Sequence, residues 1–221
     1  MHKILDLSEA WAVLIPLVVY LYKKPKQKFI KPIFIYLLLA LVINLCGDII
    51  EENYYHDPKW IVDINYNLPF YNAHSIIRLL LLMYFFALIQ IPNNKKLQFL
   101  FLFSVIMFTT TNFLFFSSFI NFSSITFSIE GIILIIYCIV YFLKRLKSDE
   151  MTQGFDNLLY IVTGIAIYEA VCFPIFLFYQ TLSSHTADYA ISVWDIHNIA
   201  YIVFCLFIAR AFYGASRYIT K

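Results

Sequence analysis

The chain has 221 residues, 62% of them hydrophobic and 14% charged, with a formal net charge of +2. A soluble domain is nearer half apolar and a quarter charged, so a soluble globular protein is excluded, and recurrent apolar runs of spanning length indicate an all-α, polytopic membrane protein. The net charge is uninformative as a sum and no nucleic-acid partner is expected; what matters is where the charges fall.

Seven spanning helices are predicted, approximately Leu5–Tyr22, Ile33–Ile50, Leu68–Ile91, Leu97–Phe116, Ile125–Leu143, Leu158–Gln180 and Ser192–Tyr213. Residues 5–213 then form one bundle and residues 214–221 a short cytoplasmic tail. The first run is read as a retained helix rather than a cleaved signal. Lys3 is the only basic residue before it, Asp6 and Glu9 offset that charge, and no small-x-small site follows. Lys23, Lys24, Lys26, Lys28 and Lys31 stop it. In the second helix Asn44 and Asp48 share a face. A loop from Glu51 to Asn67 carries Glu51, Glu52, Asp57 and Asp63.

The third helix reads LPFYNAHSIIRLLLLMYFFALIQI and organises the rest. Tyr71, His74 and Arg78 recur at spacings of three and four, so they share one helical face. At 1.5 Å per residue His74 lies roughly 9 Å deep and Arg78 about 15 Å deep. An unpaired guanidinium is costly there, so Arg78 is expected to face the interior and to have a partner. Pro92 closes this helix, and Lys95 and Lys96 follow it. The fourth helix carries Asn112. The fifth carries Glu130 in its outer half beside Gly131, and ends in Lys144, Arg145 and Lys147. The sixth carries Glu169 near mid-membrane and Pro174, which removes the helical donor to the Ala170 carbonyl. The seventh opens with Trp194, Asp195, His197 and Asn198, with Tyr201 on the face of Trp194 and Asn198.

The basic residues alternate by loop. Thirteen lie between helices one and two, three and four, five and six, or at the end of helix seven, against Lys3 and Lys59 on the other side. The positive-inside rule therefore puts the N-terminus outside and the C-terminus in the cytoplasm. Loops are short, and no stretch could fold as a separate domain. Any signal to the cytoplasm then needs a partner protein, and any ligand site lies in the bundle or its outer mouth.

Arg78 has two plausible carboxylate partners, Glu169 and Glu130. The pairing is either a buried ion lock or an anchor for an anionic ligand, since arginine presents a forked donor to carboxylate or phosphate. The predicted site is an outward-facing polar cavity lined by Arg78, His74, Tyr71, Glu169, Glu130, Asp48, His197 and Asn198. Two acids for one base leaves one carboxylate over, for a proton path or a ligand.

Other chemistries are weighed against this. His74 and His197, with Asp48 or Glu130, could bind a metal. Metal-dependent seven-helix hydrolases use three histidines, however, and Tyr201 stands where the second of a terminal pair would be. Glu51-Glu52 with His56, then Phe70-x-x-x-His74, resemble the motifs of intramembrane CAAX-type proteases without the arginine of the first motif. No spanning helix carries the lysine that a retinal Schiff base needs. Cys46, Cys138, Cys172 and Cys205 form no Cys-x-x-Cys and read as small buried apolar residues. Trp11, Trp60 and Trp194 read as an interfacial belt. No cofactor motif is present.

LPFYNAHSIIRLLLLMYFF, the glutamate in SIEGIILIIY, Gly164-x-x-x-Tyr168 and VWDIHNI together resemble a group of small seven-helix membrane proteins common in Bacteroidetes-type bacteria. An acid often stands in that group where this chain has Arg78. The resemblance implies a multi-pass protein of the bacterial inner membrane, associated with signalling systems. The functional expectation is a sensory or accessory membrane protein that binds a small anionic ligand from outside. A proton-coupled transporter and a metal-dependent hydrolase of lipid-like substrates are the alternatives.

Overall fold

The computed structural model describes the backbone of residues 7–56, 68–116, 123–147, 156–185 and 187–215, with Leu5 and Phe119. It describes side chains over 7–47, 68–115, 123–147, 156–179 and 192–215, again with Leu5 and Phe119. Asp48, Glu51, Glu52, His56, Trp60 and the acidic side chains of the 51–67 loop lie outside them. The described residues carry seven α-helices: α1 Ser8–Lys23, α2 Ile30–His56, α3 Leu68–Leu88, α4 Lys95–Thr111, α5 Ser124–Lys147, α6 Asn157–His185 and α7 Ala187–Ala215. A π-turn, Asn112–Phe116, extends α4.

Six of these, α2 to α7, include stretches long and apolar enough to cross a bilayer. The described α1 has 16 residues, about 24 Å at the α-helical rise, short of the roughly 30 Å hydrocarbon core. The chain is thus an all-helical multi-pass membrane protein. Helix ends depart from expectation where nothing in the sequence stops them. No glycine or proline lies between Gln180 and Ile191, and α6 continues to His185 with α7 starting at Ala187, in place of the expected loop. For the same reason α2 runs on to His56, two residues before Pro58. Lys24 ends α1 in the left-handed region at φ 44°, its N–H donating to the Tyr20 carbonyl at 2.8 Å. Asn94 starts α4, its Oδ1 accepting from the backbone N–H of Lys96 at 2.9 Å.

Six helices close into a ring. α1 packs on α2 and α7, α7 on α6, α6 on α5, α5 on α3, and α3 on α2. α4 hangs outside on α3; only 11% of its spanning segment is buried, against 44–50% for the other five. The sequence of α5 explains its part in this order. Ile132, Ile136, Ile139 and Leu143 recur at helical spacing and are exposed, the face for lipid. Glu130, Leu134, Tyr137, Tyr141 and Arg145 occupy the opposite face and are buried. The more polar face is therefore the inner one. On its basic side, where Lys23–Lys31, Lys95 and Lys147 cluster, the ring interior is filled by apolar side chains. Phe86 stacks on Tyr137 there, with ring centroids 5.0 Å apart.

Glycine admits close approach of α6 and α7. A Cβ at Gly164 would stand 2.8 Å from Phe207 Cβ. Gly131 does the same for α5 and α6: its Cβ would lie 3.3 Å from both Glu169 Oε2 and Phe173 Cβ. Small residues at these two seams bring the carboxylates of α5 and α6 to one place.

Candidate functional site

Arg78 projects from α3 into the ring and meets both acids predicted for it. Its Nε donates to Glu130 Oε1 at 2.6 Å. Its Nη2 stands 3.5 Å from Glu169 Oε1, within ion-pair range but not aligned as a hydrogen bond. Ser75, one turn before Arg78 on the same face, donates its hydroxyl to Glu130 Oε2. The guanidinium carbon lies 5.4 Å from the centroid of the Tyr168 ring, a cation–π contact that adds to the two carboxylates. Arg78 is 5% exposed and each acid 1%, so all three charges are sealed from water. Two carboxylates against one guanidinium make the triad −1 when both are ionised.

The two acids are not equivalent. Glu130 is held at both oxygens, by Arg78 and Ser75. Among the described residues Glu169 Oε2 has no hydrogen-bond partner, and neither does Arg78 Nη2, although both are buried. A buried polar group without a partner costs on the order of 1–3 kcal/mol. The Arg78–Glu169 edge is therefore the weak side of the triad.

The remaining predicted residues divide. His74, one turn from Arg78, stacks on Tyr36 of α2 with centroids 5.8 Å apart and planes at 13°, and its Nε2 is buried without a hydrogen bond. Tyr71 is half-buried and packs against the hydrophobic core. His197 belongs to a second cluster. Its Nε2 faces Glu9 Oε1 of α1 at 3.1 Å and its Nδ1 faces Cys172 Sγ of α6 at 3.2 Å. Trp194 stacks on it with centroids 4.8 Å apart. Asn198 is fully buried, and neither end of its amide has a hydrogen-bond partner among the described residues. Tyr168 stands between the clusters, with its ring against Arg78 and 5.6 Å from the His197 ring.

Several of these residues read differently from sequence alone, which makes Glu9 a counter-charge to Lys3, Cys172 a packing residue and Trp194 part of an interfacial belt. Glu9 and His197 are 188 positions apart, and only the packing of α1 on α7 reveals the pair. Tyr36, Ser75 and Tyr168 do not stand out among many similar residues; Ser75 has a usable signal in its three-residue spacing from Arg78. Arg78, Glu130, Glu169, His197 and Asn198 are all at most 5% exposed, and Asp48, expected at the outer mouth, lies outside the described side chains. Among the described residues no group of three or more His, Cys, Asp and Glu side chains could hold one.

Comparison with known proteins returns no matching family model, no matching curated protein and no matching solved structure. Any functional reading therefore rests on the geometry of the bundle.

Proposed function

We propose that this is a sensory or accessory protein of a bacterial inner membrane, in which a small anionic ligand exchanges with Glu169 for the guanidinium of Arg78. All seven helices cross the bilayer in this reading, with the N-terminus outside. The thirteen-to-two asymmetry of basic residues supports that orientation. Asn72, Ser75 and Ser128 are buried on the outer side of the triad, whereas Leu82, Phe86, Leu134 and Tyr137 lie on its basic side. Polar access is therefore from outside, and the conformational output passes to a partner protein.

The observation that carries this reading is the incomplete Arg78–Glu169 edge. A ligand carboxylate or phosphate would meet the unused Nη2 and displace an acid already poorly held. Because a third anion beside one guanidinium is costly, exchange is coupled to a proton on Glu169. A panel of small carboxylates and phosphates, scored by thermal shift of the purified protein, tests it. Stabilisation by one class, lost in Arg78→Lys, is expected; no shift across the panel would count against it.

The same spare carboxylate favours a second reading, a proton-coupled carrier. Proteoliposome flux driven by a pH gradient and lost in Glu169→Gln would select that over a receptor.

A further inference from the structure

We propose that Cys172, His197 and Glu9 form a nucleophilic triad within the bundle, which takes the acyl group of a membrane-lipid ester onto the Cys172 sulfur as a thioester. Among the described residues none of the three makes a hydrogen bond to Arg78, Glu130 or Glu169, and Tyr168 lies between the two clusters.

The geometry brings thiol and base into contact, with the base oriented by a third group. Cys172 Sγ lies 3.2 Å from His197 Nδ1, and His197 Nε2 lies 3.1 Å from Glu9 Oε1. A Glu9 carboxylate selects the tautomer with the proton on Nε2, which leaves the Nδ1 lone pair facing the thiol. Glu9 is itself anchored, because Asn44 of α2 donates its side-chain amide to the Glu9 backbone carbonyl at 3.1 Å. The arrangement is specific to this cysteine. Cys138, by contrast, donates to the Val162 backbone carbonyl at 3.7 Å, an ordinary helix-interface contact.

The surroundings define the substrate class. Phe176, Trp194 and Tyr168 enclose the imidazole at centroid distances of 5.3, 4.8 and 5.6 Å. Cys172 has no exposed surface. A donor reaches it by parting apolar side chains, which an acyl chain already dissolved in the bilayer does and a water-soluble ester does not. Glu9 lies in the first turn of α1 with its side chain 16% exposed. Glu9 is thus the accessible end of the site, and Cys172, one turn from Glu169 on α6, its buried end.

In the step, the Cys172 sulfur attacks the ester carbonyl carbon while His197 Nδ1 takes the thiol proton. The acyl C–O bond then breaks, and the glycerol oxygen leaves with that proton. The products are the Cys172 thioester and a lysolipid; no redox change occurs. Cys172 and His197 are the catalytic residues and Glu9 is a positioning residue.

The test uses the full chain reconstituted in phosphatidylglycerol–phosphatidylcholine vesicles that carry an alkyne-tagged acyl chain. Label should appear on Cys172 by peptide mass mapping and be removed by neutral hydroxylamine. Cys172→Ala should abolish it, and Cys205→Ala should label like the parent. His197→Asn should slow labelling by about 100-fold, the lower range for a general base. Glu9→Gln, which keeps a hydrogen bond to the ring, should slow it less and shift its pH profile, with the purified protein still monodisperse. No hydroxylamine-sensitive label on Cys172 of the parent, or labelling that persists at the parental rate in a monodisperse His197→Asn or Glu9→Gln protein, overturns the proposal.

Discussion

Glu169 faces Arg78 across the α3–α6 space at 3.5 Å without completing a hydrogen bond, while Glu130 holds the same guanidinium at 2.6 Å. The first consequence is an ordering of variants. Breaking a buried pair by removing one partner costs about 3–5 kcal/mol, and Arg78→Met and Glu130→Ala should fall in that range. Glu169→Gln removes the weaker contact and one negative charge from a triad that has one too many. Its cost should be within about 1 kcal/mol of zero, below that of a normal charged hydrogen bond. Thermal unfolding in detergent, on the three variants side by side, checks the order.

The glycines give a second ordering. Gly164→Ala drives a Cβ to 2.8 Å from Phe207 Cβ, an atom next to the backbone that cannot rotate away. Overpacking of this kind costs typically about 1–3 kcal/mol, and α6 and α7 must part. Gly214→Ala instead meets Asn157 Oδ1, the movable end of a side chain. There the roughly 1 kcal/mol gain in helix propensity of alanine over glycine should leave the variant close to neutral. Gly131→Ala, at 3.3 Å from Glu169 Oε2 and Phe173 Cβ, should lie between. Melting temperatures that ranked Gly214→Ala as the worst of the three would contradict this packing.

At the basic end Asp156 has two jobs. Its Oδ1 accepts from the Leu159 N–H at 2.7 Å as the N-cap of α6, and its Oδ2 pairs with Arg145 Nη1 at 2.7 Å. The Asp156 side chain is 43% exposed, so the ion pair counts for little beside the cap. Asp156→Asn keeps a capping oxygen and should lose under about 1 kcal/mol, whereas Asp156→Ala should lose about 1–2 kcal/mol. Equal losses would mean that the ion pair rather than the cap dominates.

How far the sequence discloses this arrangement depends on the range of each signal. The Arg78 partners are legible because depth along a helix follows from counting residues, and Glu130 and Glu169 are the acids that reach its level on other spans. The inward side of α5 is legible from Glu130 within an isoleucine-rich run. Helix ends at α2, α6 and α7 are not, since hydropathy falls at the headgroups while the helix continues past them. The Glu9–His197 pair is invisible for a different reason. It depends on which helices share a seam, and short loops permit several cyclic orders of seven helices. Asp48, Glu51, Glu52 and His56 lie outside the described side chains, so the roles expected of them in the cavity and in the protease-like motif have no structural counterpart among the described residues.

The most direct measurement compares the affinity of the purified protein for small carboxylates before and after Glu169→Gln. If Glu169 competes with the ligand for Arg78, the variant binds the same carboxylate at least about tenfold more tightly, a change of about 1.4 kcal/mol, and the proton uptake that accompanies binding disappears. Equal or weaker binding by the Gln variant, or binding that survives Arg78→Met, would contradict the exchange at Arg78.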